Sequence, residues 1–273
     1  MEHLQNLHMH STFCDGRNTP EDTVRVAIER GFEAIGFSSH SYMYYSPGFA
    51  VPMKAPGDRA YRAEIRRLQA AYAGRIDVYC GLEMDIFSDV ELDGYDYIIG
   101  SVHYLEKDGQ KIAFDRSAEV VRQVIDEHFG GDGMAYALAY YRTLATLPQY
   151  GRFDIIGHFD IITKHADQVT FFDEEAPVYR AAAIEAAEAL CGKIPFFEVN
   201  TGAMSRYGRR VPYPPLFLLR ELRRLGFGAV ITSDCHDNRY LDFGFEQARE
   251  LLAVAGYTER YILTPQGFSA VAL

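Results

Sequence analysis

Short apolar segments alternate with longer amphipathic ones along almost the whole chain, and this alternation restricts the fold more than any other feature. The apolar segments, at residues 4–9, 33–38, 76–84, 96–102, 153–158, 195–200 and 228–233, are rich in β-branched and aromatic residues, and "YDYIIGSV" and "FGAVIT" are nearly continuous. Strands that are apolar on both faces belong to parallel sheets covered by helices. Between them, "PEDTVRVAIERG", "DRAYRAEIRRLQAAYAG", "SAEVVRQVIDEHFG", "MAYALAYYRTLATLPQYG", "EEAPVYRAAAIEAAEALCG" and "PPLFLLRELRRLG" read as helices, the first with Pro20 in its first turn and Gly31 as its stop. Seven such units, with no glycine-rich phosphate fingerprint after the first strand, predict a closed or distorted α/β barrel rather than an open doubly wound sheet. At 273 residues, a single domain spanning 1–273 is expected.

The polar residues then fall into place on this scaffold. In "NLHMHSTFCDG", a period of two sets His8 and His10 on one side of the first strand and Leu7 and Met9 on the other, with Asp15 in the turn that follows. His40 follows "AIGFSS", Glu83 ends "VYCGLE", His103 ends "YIIGSVH", His158 ends "FDIIGH", and Asp234 and His236 end "AVITSDCH". Each has an ordinary explanation when taken alone. A strand-end His is commonly a hydrogen-bonded structural residue, Glu83 could cap a helix or pair with an arginine, and Asp234 could cap a helix near residue 239. Their coincidence is what carries meaning. His3, His128 and His165 scatter, whereas the other six histidines sit at the C-terminal end of the expected strands, the face on which a parallel barrel builds its active site. Burying so many titratable groups together is costly unless metal ions supply the counter-charge. Nitrogen and oxygen donors without sulfur suit zinc, manganese or iron.

Composition narrows the partners. Cys14, Cys80, Cys191 and Cys235 form no Cys-x-x-Cys pair, which argues against a thiolate zinc site or a disulfide framework and fits a reducing cytoplasm. A formal charge of −11 disfavours a nonspecific grip on nucleic acid, yet allows an anionic small substrate where metal ions reverse the local sign. No apolar run is long enough to cross a bilayer, and "MEHLQNLHMH" has neither the basic nor the apolar region of a signal peptide, so secretion is not expected. An anionic small-molecule partner, no nucleic acid, no membrane, and a monomer or small homo-oligomer are the expectation.

The ordered set His8-x-His10, Asp15, His40, Glu83, His103, His158, Asp234-x-His236 resembles the polymerase-and-histidinol-phosphatase (PHP) family of metal-dependent phosphoesterases over almost the whole chain. The phrases "GSVHY", "FDIIGHFD" and "EVNTG" are most similar to the histidinol-phosphatases within it. The resemblance implies a distorted (β/α)7 barrel with a trinuclear centre of divalent ions. One ion would take His8, His10, Glu83 and Asp234; a second Glu83, His103 and His158, with the Glu83 carboxylate bridging; a third Asp15, His40 and His236. It implies hydrolysis of L-histidinol phosphate, with another phosphoesterase specificity (nucleotide phosphatase or exonuclease) or a non-catalytic metal-binding module as alternatives.

Such a centre would hold a phosphate monoester and activate water, helped by nearby cations. Lys164 and Arg206 are the candidates, Arg206 preferred for its planar fork, with Arg116 behind them. Asp160 would serve as an acid for the leaving alkoxide or orient His158. The tyrosine-rich "HSYMYYSPG" after His40 could cover the substrate, and a cationic leaving group would call for an acidic or aromatic wall.

Overall fold

The structure is a computed structural model and describes residues 3–43 and 55–273. Its strands are β1 (Gln5–Asn6), β2 (Ala34–His40), β3 (Asp77–Asp85), β4 (Tyr97–Ser101), β5 (Tyr104–Lys107), β6 (Gln110–Ala113), β7 (Ile155–Ile156), β8 (Phe196–Asn200), β9 (Gly228–Thr232), β10 (Glu259–Thr264) and β11 (Gly267–Ala272). Its helices are α1 (Pro20–Glu29), α2 (Ala55–Ala71), α3 (Ala118–Phe129), α4 (Gly133–Leu144), α5 (Pro177–Leu190), α6 (Gly202–Tyr207), α7 (Leu216–Arg224) and α8 (Phe245–Ala255). Seven parallel strands pair in the order β1-β2-β3-β4-β7-β8-β9. A parallel bridge between Met9 and Cys235 brings the first and last of them together near one end, so the sheet is a nearly closed barrel, as expected.

Both faces of the sheet are covered, which is why its strands read as continuous apolar runs. Inside, Leu7, Ala34, Tyr79, Tyr97, Ile99, Ile155, Val230 and Leu263 pack together. Outward-facing Phe37, Cys80, Leu82, Ile98, Phe197 and Ile231 join the larger core beneath the helices. Tyr97 fills the barrel axis. A Cβ on Gly36 or Gly81 would stand 2.4 or 2.2 Å from its side chain, so only glycine lets the ring lie across these two backbones. The polar residues collect above this plug, at the C-terminal ends of the strands.

All seven expected strands form, but the first is only two residues long. Leu7 packs inside the barrel and Met9 outside, so the alternation placing both on one side of a regular strand does not hold. Side chains supply the reason: the His8 amide donates to Asn6 Oδ1 and the Met9 amide to Ser38 Oγ, replacing ladder bonds. Beyond the sequence-based expectation lie α6, α8 and two antiparallel hairpins, β5–β6 and β10–β11. "HSYMYYSPG" falls largely outside the described residues.

Candidate metal centre

Glu83 stands at the middle of the barrel mouth and is almost completely buried. Its Oε1 lies 2.9 Å from His158 Nε2 and 3.3 Å from His103 Nε2, and accepts a hydrogen bond from Ser101 Oγ at 2.9 Å. Its Oε2 lies 2.8 Å from His40 Nδ1, 3.4 Å from His8 Nε2 and 3.5 Å from His10 Nε2. Asp234 Oδ1 stands 3.3 Å from His10 Nε2 and 3.4 Å from His236 Nδ1. Asp15, at the more open rim, is 3.6 Å from His40 Nε2 and 3.3 Å from His236 Nε2. All nine strand-end residues singled out in the sequence therefore meet at one place.

The longer of these spacings, 3.3 to 3.6 Å, fit metal ions better than hydrogen bonds. Two ligands each about 2.1 Å from a tetrahedral ion stand about 3.4 Å apart. His8, His10, Glu83 and Asp234 show that spacing. Among the described residues, His8 Nε2, His10 Nε2, Glu83 Oε2 and Asp15 Oδ1 are buried with no hydrogen-bond partner, an unfavourable state that a shared cation relieves. Three sets of donors lie close enough to hold an ion: His8, His10 and Asp234; His10, Asp15, His40 and His236; and His40, Glu83 and His103. His158 Nε2 approaches the last set, 3.2 Å from His103 Nε2. His10 and His40 each appear in two sets, so they lie between groups that the resemblance kept apart.

The charge balance points the same way. Burial pushes the Glu83 carboxyl up, but the His40, His8 and His103 rings outweigh it and leave it well below the usual carboxylate range. At Asp234 burial is likewise outweighed, chiefly by Arg206 and His8. Burial, with His236 and His40 close by, pushes His10 down to about 3, which keeps its ring neutral and its lone pair available.

Two buried carboxylates beneath the cluster escaped the sequence reading. Glu198 Oε2 lies 2.9 Å from His8 Nδ1 and accepts from Thr232 Oγ1 at 2.8 Å, while its Oε1 accepts from the His158 amide at 2.6 Å and from Asn200 Nδ2 at 2.8 Å. One side chain thus orients one imidazole and anchors the backbone of another. Asp85 accepts from the His103 amide at 2.9 Å. Both had a signal: Glu198 sits in "EVNTG" two residues before Asn200, and Asp85 lies two past Glu83, so each shares a strand face with a neighbour that reaches the mouth. Asp234 has a φ of +47°, a left-handed conformation that Asp tolerates and that concentrates at functional sites.

The cluster floors a cavity of about 310 Å³. Its far wall carries Asp115, Arg116, Lys164, Arg206, Tyr207 and Tyr213. Lys164 is buried and ion-paired with Asp115. Arg206 donates to Asp234 Oδ2 at 2.7 Å, so the fork expected to take phosphate rests on a candidate metal ligand. Asp160 is fully buried and is not among the residues lining the cavity; its Oδ2 accepts from Thr163 Oγ1, and among the described residues it makes no hydrogen bond to the His158 ring. Burial, only partly offset by Arg209, pushes its carboxyl up to about 7.

The PHP domain family matches residues 6–202. The chain belongs to the PHP family. A Deinococcus radiodurans protein named "Probable histidinol-phosphatase" is 30% identical, the alignment covering 94% of this PHP chain and 96% of the relative. A Lactococcus lactis "Histidinol-phosphatase" is 27% identical over 93% and 92% of the two chains. The solved structure of histidinol phosphate phosphatase from Lactococcus lactis, complexed with zinc, L-histidinol and phosphate, superposes with a TM-score of 0.69 at 22% identity, covering 98% of this chain and 99% of that one. This PHP-family phosphoesterase therefore shares its fold with that structure and carries buried His, Asp and Glu clusters suited to metal binding. Among the described residues, no helix is long and apolar enough to cross a membrane.

Proposed function

We propose that this chain hydrolyses L-histidinol phosphate to L-histidinol and phosphate, as a single cytoplasmic domain. The observation that carries the reading is the convergence on Glu83 of imidazoles and carboxylates with unpartnered buried donor atoms, on the floor of a cavity with cations on its other side. Relatives matched along nearly their whole length and named histidinol-phosphatase support the choice of substrate.

In this reading His8, His10, Glu83 and Asp234 hold one divalent ion, Glu83, His103 and His158 a second, and Asp15, His40 and His236 a third. Such ions, whether zinc, manganese or iron, supply Lewis acidity that activates water and offsets charge on the phosphoryl oxygens. The protein's part is orientation. Glu198 keeps the His8 Nε2 lone pair aimed at the cluster, Ser101 fixes one Glu83 oxygen, and Lys164 and Arg206 present donors to the phosphate from the cavity wall. The far wall is more basic than a cationic leaving group would suggest: Arg116, Lys164 and Arg206 stand beside one carboxylate and two tyrosines.

A side-by-side phosphate-release assay tests the substrate. L-histidinol phosphate should exceed a nucleoside monophosphate and a short oligonucleotide in kcat/KM by at least roughly tenfold, or about 1.4 kcal/mol of transition-state discrimination. Equal rates, or preference for the oligonucleotide, would overturn the reading.

A further inference from the structure

One carboxylate lining the cavity belongs to none of the donor sets of the metal centre. It is Asp115, carried just beyond β6, and its partner is Lys164. In this pair the Lys164 side chain is 5% exposed and that of Asp115 18%. Lys164 Nζ also lies 4.8 Å from the centre of the Tyr207 ring. Burial pushes the Asp115 carboxyl up, and Lys164, with His103 and His158, more than offsets it, holding the group at about 2, so it is an anion at neutral pH. Tyr213 lines the same cavity, and its hydroxyl, among the described residues, is buried without a hydrogen-bond partner.

L-histidinol phosphate carries a dianionic phosphate, an ammonium on the second carbon from the ester oxygen, and an imidazole at its far end. An ion pair that meets such a molecule can exchange partners and leave every charge matched. Resting on the function proposed above, we infer that Asp115 is a specificity-determining residue: it takes the ammonium of the leaving group while Lys164, released from it, turns to the phosphate. Tyr213 offers that ammonium a second acceptor. A phosphate ester with no amine draws Lys164 away in the same manner but leaves a largely buried carboxylate without a partner, and that cost sets the preference.

The test compares L-histidinol phosphate with phenyl phosphate on the metal-loaded protein. In Asp115→Asn the ratio of the two kcat/KM values should fall at least tenfold, and calorimetry should show L-histidinol binding weakened by a similar factor. Asp115→Glu, which keeps the carboxylate, should recover part of both, and Lys164→Met should depress both substrates while leaving the ratio near that of the wild type. An unchanged ratio in Asp115→Asn, with both substrates slowed alike, would show that Asp115 only positions Lys164 and would overturn the inference. A wild-type protein with no preference for L-histidinol phosphate over phenyl phosphate would overturn the function itself, and with it the role of Asp115. Thermal melting of each variant separates these outcomes from loss of fold.

Discussion

On one side of the cavity, polar groups stand at the ends of barrel strands and are held from beneath by buried partners: Glu198 under His8 and His158, Ser101 under Glu83, Asp85 under His103. On the other side, Asp115, Lys164, Arg206 and Tyr207 come from the residue after a hairpin, a short 3-10 turn and α6, and they pair largely with one another or with the edge of the cluster. The first arrangement is rigid and interdependent, because each donor is shared among several neighbours. The second is modular, and a change there should alter selectivity before it alters the chemistry. A strand-held centre flanked by a loop-held wall is how a barrel can keep one reaction while changing its substrate.

That contrast predicts a graded series of effects. Glu83→Ala, which removes the carboxylate common to two of the proposed ion sites, should abolish activity and lower metal content measured by elemental analysis; a variant with full metal and turnover would break the comparison outright. His158→Ala and His103→Ala should each lower turnover by orders of magnitude with the fold retained, read from steady-state kinetics beside a melting curve. Glu198→Gln touches no proposed ion and should weaken metal affinity by roughly 10- to 100-fold, as expected for a partner that orients a ligand; metal titration of the stripped protein measures it. Lys164→Met on the far wall should raise KM by roughly tenfold, the value of a charged hydrogen bond to phosphate, with a smaller change in kcat.

The smallest effect concerns Asp160. Its folded-state pKa of about 7 lies above the ordinary 3.8, so the folded protein holds this proton more tightly than the unfolded chain does. Stability from this group is present below the unfolded value and is lost as pH rises through about 7. Asp160→Asn, which cannot ionise, should gain in Tm relative to wild type between pH 5 and pH 8, and a gain that shrinks across that range would show that Asp160 is compensated in the fold.

The two sides also differ in how far they could be read from the amino-acid order. His40, Glu83, His103, His158 and Asp234 were visible because each lies within or just beyond a strand whose apolar pattern is unmistakable, and the barrel rule places all strand ends on one face. Asp115 and Tyr213 were not visible, since their positions depend on the β5–β6 hairpin and on the chain after α6, neither of which carries a long hydrophobic period. The hairpin did have a local signal in Asp108-Gly109, whose φ values of +50° and +75° suit a two-residue turn, but its strands are only four residues each. The break in alternation at His8 was equally hidden, because it comes from the Asn6 and Ser38 side chains rather than from hydrophobicity.

The sequence distance spanned by the contacts around the first strand also bears on how the protein comes into being. Gln5 exchanges two hydrogen bonds with Leu263, Asn6 bonds Ser233, and His8 meets Glu198, at separations of 258, 227 and 190 residues. His8, made early, is thus among the last residues to find its neighbours. The ion proposed for His8, His10, Glu83 and Asp234 therefore lacks a ligand until Asp234 has been made, and a fragment ending before β8 should be unable to hold it.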